Sequence, residues 1–93
     1  MSETIDALMA TIEDRKAHPK EGSYTCKLFA AGDAEILKKV GEEASEVIVA
    51  GALESNERVL YETADLIYHL SVMLVSKELT WVDVEDELRR RFR

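Results

Sequence analysis

Residues 34–76 read AEILKKVGEEASEVIVAGALESNERVLYETADLIYHLSVMLVS, and this stretch decides the architecture. Its apolar residues recur at helical rather than alternating spacing, with Ile36, Val40, Ala44, Val47 and Ile48 along one side of a helix over 34–53. Ser55 or Asn56 then opens another helix that continues to about residue 76, since no Gly or Pro interrupts it. Two long helices joined this tightly must lie antiparallel, as an αα-hairpin.

The flanks are also helical. Ile5, Leu8, Met9 and Ile12 fall at i, i+3, i+4 and i+7, with Ser2 or Thr4 as N-cap, and the pattern stops before His18-Pro19. Residues 18–25 have turn chemistry, and Ser23 is placed to cap a short helix that carries Tyr24, Leu28 and Phe29 to Gly32. Asp33 is the expected N-cap of the helix over 34–53. Thr80-Trp81-Val82-Asp83 resembles a capping box with Asp for the usual Glu, before a last helix bearing Val84 and Leu88 and ending in Arg89, Arg90, Arg91 and Arg93. The predicted fold is all-α: an antiparallel helical hairpin with flanking helices, in one domain over 1–93.

Composition narrows the function classes. Nineteen acidic against twelve basic residues leave a formal charge of −7, which repels nucleic-acid backbones and anionic membranes. One cysteine, Cys26, cannot close an internal disulfide, and two histidines with one thiol are too few for a structural zinc site. The start of the chain has neither a basic nor an apolar leader segment, and no apolar run approaches the ~20 residues that span a bilayer. A cytoplasmic protein without nucleic-acid or membrane partners is expected.

The chemistry lies in two carboxylate pairs, Glu43 with Glu46 and Glu62 with Asp65. Members of a pair at i, i+3 lie about 60° apart around a helix and roughly 4.5 Å apart along it, so both project to one side. The step from 46 to 62 includes the hairpin turn, so the pairs can face each other. On the helix over 56–76 the polar stripe of Arg58, Glu62, Asp65 and His69 is narrow and bordered by Tyr61, Leu66, Tyr68, Val72 and Met73. Such a stripe is expected inside the assembly or along a cleft. Its carboxylates have no obvious one-to-one cationic partner, so they call for a compensating divalent cation. All-oxygen ligation favours magnesium, with manganese possible in its place, and magnesium held this way completes its shell with water and substrate phosphates. Lys38 and Lys39, one turn before Glu42 and Glu43, can supply positive charge to those phosphates. His69 either contacts a phosphate, orients a carboxylate or is a satisfied buried histidine. Ser23, Tyr24 and Thr25 offer hydroxyls or a ring for a base, or else serve capping and packing.

Beyond these pairs, Arg15, Ser23-Tyr24-Thr25, Lys38-Lys39-Val40-Gly41-Glu42-Glu43-Ala44, Glu46, Glu62, Ala64-Asp65-Leu66 and Tyr68-His69-Leu70 together resemble the phosphoribosyl-ATP pyrophosphohydrolase family of histidine biosynthesis. The Glu-x-x-Glu and Glu-x-x-Asp pairs are shared with the wider MazG-like all-α nucleotide pyrophosphohydrolases. The resemblance implies hydrolysis of phosphoribosyl-ATP to phosphoribosyl-AMP and pyrophosphate with magnesium. It implies Glu43, Glu46, Glu62 and Asp65 as metal ligands, and Lys38, Lys39, Ser23, Tyr24, Thr25 and His69 near the substrate. Glu42, Glu43 and Glu46 are the candidate catalytic carboxylates, and residue type alone does not say which accepts the proton. Glu78 stands where the family commonly has a helix-terminating Gly, and a chain without a fused cyclohydrolase segment is expected. A helix over 56–76 apolar on several sides implies a homodimer in which hairpins pack as a bundle. The alternatives are a relative acting on another nucleoside triphosphate and a non-catalytic acidic helical adaptor.

Overall fold

Small hydroxyl side chains start four of the five helices in the computed structural model, which describes residues 2–92. Ser2 Oγ accepts the Ile5 N–H at 3.2 Å and opens α1 (Glu3–Ala17). Ser23 Oγ accepts the Cys26 N–H at 3.2 Å and opens α2 (Tyr24–Ala31). Ser55 Oγ accepts the Arg58 N–H at 3.2 Å at the head of α4 (Asn56–Ser76). Thr80 and Asp83 exchange bonds across the first turn of α5 (Trp81–Arg91), completing the expected capping box. Each bond satisfies a backbone donor that has no partner within its helix. Arg93, the last of the expected basic cluster, lies outside the described residues.

The start of α3 (Asp33–Leu53) differs from the expectation. Asp33 is its first helical residue, not its cap. Gly32, at φ 95°, ends α2 and begins α3 at once, its carbonyl accepting the N–H groups of Glu35 and Ile36. With no residue to spare between the helices, the chain must turn in a backbone conformation that favours glycine. The Asp33 carboxylate bonds instead to Lys77 Nζ at 2.9 Å, at the far end of α4, and that contact holds its carboxyl below the usual range.

Glu54 and Ser55 alone connect α3 to α4, and the two helices form the antiparallel hairpin that dominates the packing. Met9, Ile12, Leu28, Ile36, Val72, Leu74 and Val75 make one apolar cluster beside it, drawn from α1 to α4. Trp81 and Val84 of α5 pack against this cluster, and Trp81 Nε1 donates to Ser71 Oγ at 2.9 Å. The core therefore sits at the α1 side of the hairpin, towards the C-terminal half of α4. Towards the turn, Ile48 is 71% exposed, Leu53 82% and Leu60 72%, so that end of the hairpin is apolar but uncovered. Among the described residues no strand occurs, and no helix is long and apolar enough to cross a membrane.

Candidate metal centre

The i, i+3 spacing does bring the carboxylates together across the hairpin. Glu43 from α3 and Glu62 from α4 are buried and Asp65 is half-buried, and one oxygen from each lies within 4.8 Å of the others. Glu46, which is exposed, adjoins both Glu62 and Glu43 of this trio. The close approach of Glu46, burial and the Glu46 charge push the Glu62 carboxyl up to about 7. Burial, then Glu46, raises Glu43, whereas its contacts with Glu62 and Glu43 hold Glu46 below its ordinary value.

Two cations reach this cluster, contrary to the expectation that its members lack cationic partners. Lys39 Nζ lies 3.6 Å from Glu43 Oε1 and 3.4 Å from Glu42 Oε1. Arg58 Nη2 lies 3.2 Å from Glu62 Oε1, with the guanidinium stacked 4.6 Å over the Tyr61 ring. Both are i, i+4 pairs within one helix, a spacing visible in the sequence. They do not complete the charge balance, because four carboxylates face two cations and both cations sit at the edges. Burial works against the charge on Lys39, but Tyr24, Glu42 and Glu43 outweigh it and hold the ammonium above its ordinary value.

The donor set fits a hard divalent cation. Glu43 Oε2 is fully buried and has no hydrogen-bond partner, which is costly for a carboxylate oxygen unless something positive occupies the space before it. Glu43, Glu62 and Asp65 can hold a metal ion through oxygen alone, with Glu46 adjoining. A cavity of about 320 Å³ opens beside them, lined by Ser45, Glu46, Val49, Glu54, Arg58 and Glu62.

The remaining predicted residues separate into two groups. Lys38 is exposed, and Glu42 is exposed and paired to Lys39. Ser23, Thr25 and His69 fasten α2 to its own start and to α4. Ser23 caps α2, the Thr25 hydroxyl bonds the Tyr68 hydroxyl, and His69 is buried with both ring nitrogens engaged. Tyr24 is left as the half-exposed side chain of that segment, beside Lys39. Tyr68 is not among the residues expected at the site; its place in the Tyr68-His69-Leu70 motif and beside the polar stripe of α4 is the signal that points to it.

An all-helical fold whose central hairpin buries convergent carboxylates defines an acidic, metal-competent helical protein. The chain belongs to the phosphoribosyl-ATP pyrophosphohydrolase family, whose model matches residues 5–92. It is 53% identical over 87 residues to the phosphoribosyl-ATP pyrophosphatase of Limosilactobacillus fermentum, covering 94% of this chain and 82% of that protein. To the protein of the same name from Sulfurisphaera tokodaii it is 49% identical over 92 residues, covering 99% and 98%. It is also 50% identical over 91 residues to the histidine biosynthesis bifunctional protein HisIE of Caldanaerobacter subterraneus, of which it spans 44%.

Proposed function

We propose that this chain hydrolyses phosphoribosyl-ATP to phosphoribosyl-AMP and pyrophosphate, the second step of histidine biosynthesis, using magnesium held by Glu43, Glu46, Glu62 and Asp65. The observation that carries the reading is the buried, convergent carboxylate cluster with its unpartnered Glu43 Oε2, in a chain of this family. When bound, magnesium, or manganese in its place, offsets charge on the polyphosphate and lowers the pKa of the attacking water.

The protein's own groups do the rest. Lys39 and Arg58 flank the cluster from α3 and α4 and draw the polyphosphate to the one part of an acidic molecule that receives it. One carboxylate of the set Glu42, Glu43 and Glu46 takes the proton of the attacking water. Lys38 adds a solvent-exposed positive charge beside Lys39. In this reading the protein acts in the cytoplasm. It works as a homodimer, a reading supported by the uncovered Ile48, Leu53 and Leu60 near the hairpin turn.

The test is pyrophosphate release from phosphoribosyl-ATP, with and without magnesium, beside a panel of other nucleoside triphosphates. Magnesium-dependent turnover that prefers phosphoribosyl-ATP is expected. Preference for a panel member would reassign the substrate, and absence of turnover on all of them would remove the enzymatic reading.

A further inference from the structure

His69 is 5% exposed and spends both ring nitrogens inside the protein. Nδ1 lies 2.9 Å from the backbone carbonyl of Asp65, one turn earlier on α4. A carbonyl only accepts, so Nδ1 carries the proton, and in the neutral ring Nε2 is then an acceptor. Nε2 lies 3.2 Å from the Tyr24 hydroxyl, which donates to it when the ring is neutral. The phenol is braced further: its ring stacks on Tyr68 at 6.2 Å, Tyr68 meets His69 edge-on at 4.9 Å, and the Tyr68 hydroxyl bonds Thr25. Tyr24 itself is 47% exposed, at the α2 margin of the carboxylate cluster, where it is an electrostatic neighbour of Lys39.

A hydroxyl whose hydrogen is already committed inward shows only lone pairs outward. Such an oxygen repels a phosphate oxygen and welcomes a donor. We propose that Tyr24 is a specificity-determining residue that accepts a hydrogen bond from a neutral donor of the substrate, a sugar hydroxyl or an exocyclic amine. His69 acts as its positioning residue by accepting the hydrogen bond of the Tyr24 hydroxyl. This rests on the reading of the chain as a phosphoribosyl-ATP hydrolase, and it concerns the nucleoside part of that substrate, not the phosphates.

The test is steady-state kinetics of pyrophosphate release from phosphoribosyl-ATP at saturating magnesium, with thermal unfolding of every variant alongside. Tyr24→Phe keeps the ring and loses the acceptor, and is expected to raise KM roughly three- to tenfold with kcat nearly unchanged. His69→Asn keeps a donor towards the Asp65 carbonyl but loses the acceptor for Tyr24, so it should raise KM by the same factor. His69→Gln, whose amide oxygen can still accept the Tyr24 hydrogen bond, should lie closer to wild type. The double variant Tyr24→Phe with His69→Asn should be no worse in KM than either single one. Substrate made from 2′-deoxy-ATP or 3′-deoxy-ATP separates the two donors: if Tyr24→Phe no longer matters there, the donor is that hydroxyl, and if it matters as before on both, the donor lies elsewhere on the nucleoside.

An unchanged KM in Tyr24→Phe, or a fall in kcat alone, overturns the proposal, and fully additive effects of the two substitutions overturn the role of His69. A wild-type protein inactive on phosphoribosyl-ATP would instead overturn the function on which the proposal rests.

Discussion

Arg58 Nη2 stands 3.2 Å from Glu62 Oε1, yet the Glu62 carboxyl is still pushed up to about 7. One guanidinium at the edge of the stripe is outweighed by Glu46 and burial. The carboxylates are thus held closer together than their own charges allow, and the strain is relieved by a proton or by a cation.

The metal-free protein should therefore be stabilised by mild acid. A carboxyl raised in the folded state contributes stability that is fully present below its unfolded value near 4.5 and is lost as pH rises through about 7. Thermal unfolding in a chelator should give a higher Tm at pH 5.5 than at pH 8. Glu46, held below its ordinary value, contributes in the opposite sense only in stronger acid. Magnesium at about 100 times its Kd should raise the Tm at pH 8 by roughly 10 °C or more, and by less at pH 5.5, where protons compete.

Glu43→Gln and Asp65→Asn should each cut magnesium-dependent turnover at least ~100-fold while the far-ultraviolet circular dichroism stays that of the wild type. In chelator, Glu43→Gln should unfold no earlier than wild type, since it removes one of the crowded buried charges. Full activity in both variants would show that the cluster does not hold the catalytic ion.

Glu78 ends α4 in the left-handed conformation, at φ 62°. The Leu79 N–H reaches the Leu74 carbonyl at 2.8 Å and the Glu78 N–H the Val75 carbonyl at 3.0 Å, a Schellman closure that suits glycine. Glu78→Gly should raise stability by about 1 kcal/mol, a shift of roughly 4–8 °C in Tm, with kcat/KM unchanged. Differential scanning calorimetry and the pyrophosphate assay check the two halves.

Light scattering at micromolar concentration should give twice the chain mass, and Leu60→Glu, which places a charge on a 72% exposed apolar position near the hairpin turn, should give a monomer. A monomeric wild type would remove the homodimer.

What the sequence determined by itself is what depends on neighbours a few residues apart. The caps at Ser23 and Thr80, the αα-hairpin and the pairing of Glu43 with Glu46 and of Glu62 with Asp65 follow from helical spacing and local hydrogen bonding. The i, i+4 contacts of Lys39 and Arg58 were as legible, but whether they outweigh the crowding was not. That depends on burial and on Glu46 reaching across to Glu62, sixteen residues away. The tertiary structure alone decided that Gly32 rather than Asp33 caps α3, and that the Asp33 carboxylate turns to Lys77, forty-four residues on. It alone decided that His69 faces inward to hold Tyr24, forty-five residues before it. Local spacing sets which way a side chain leaves its own helix, whereas its hydrogen-bond partner is set by which other helix packs over it.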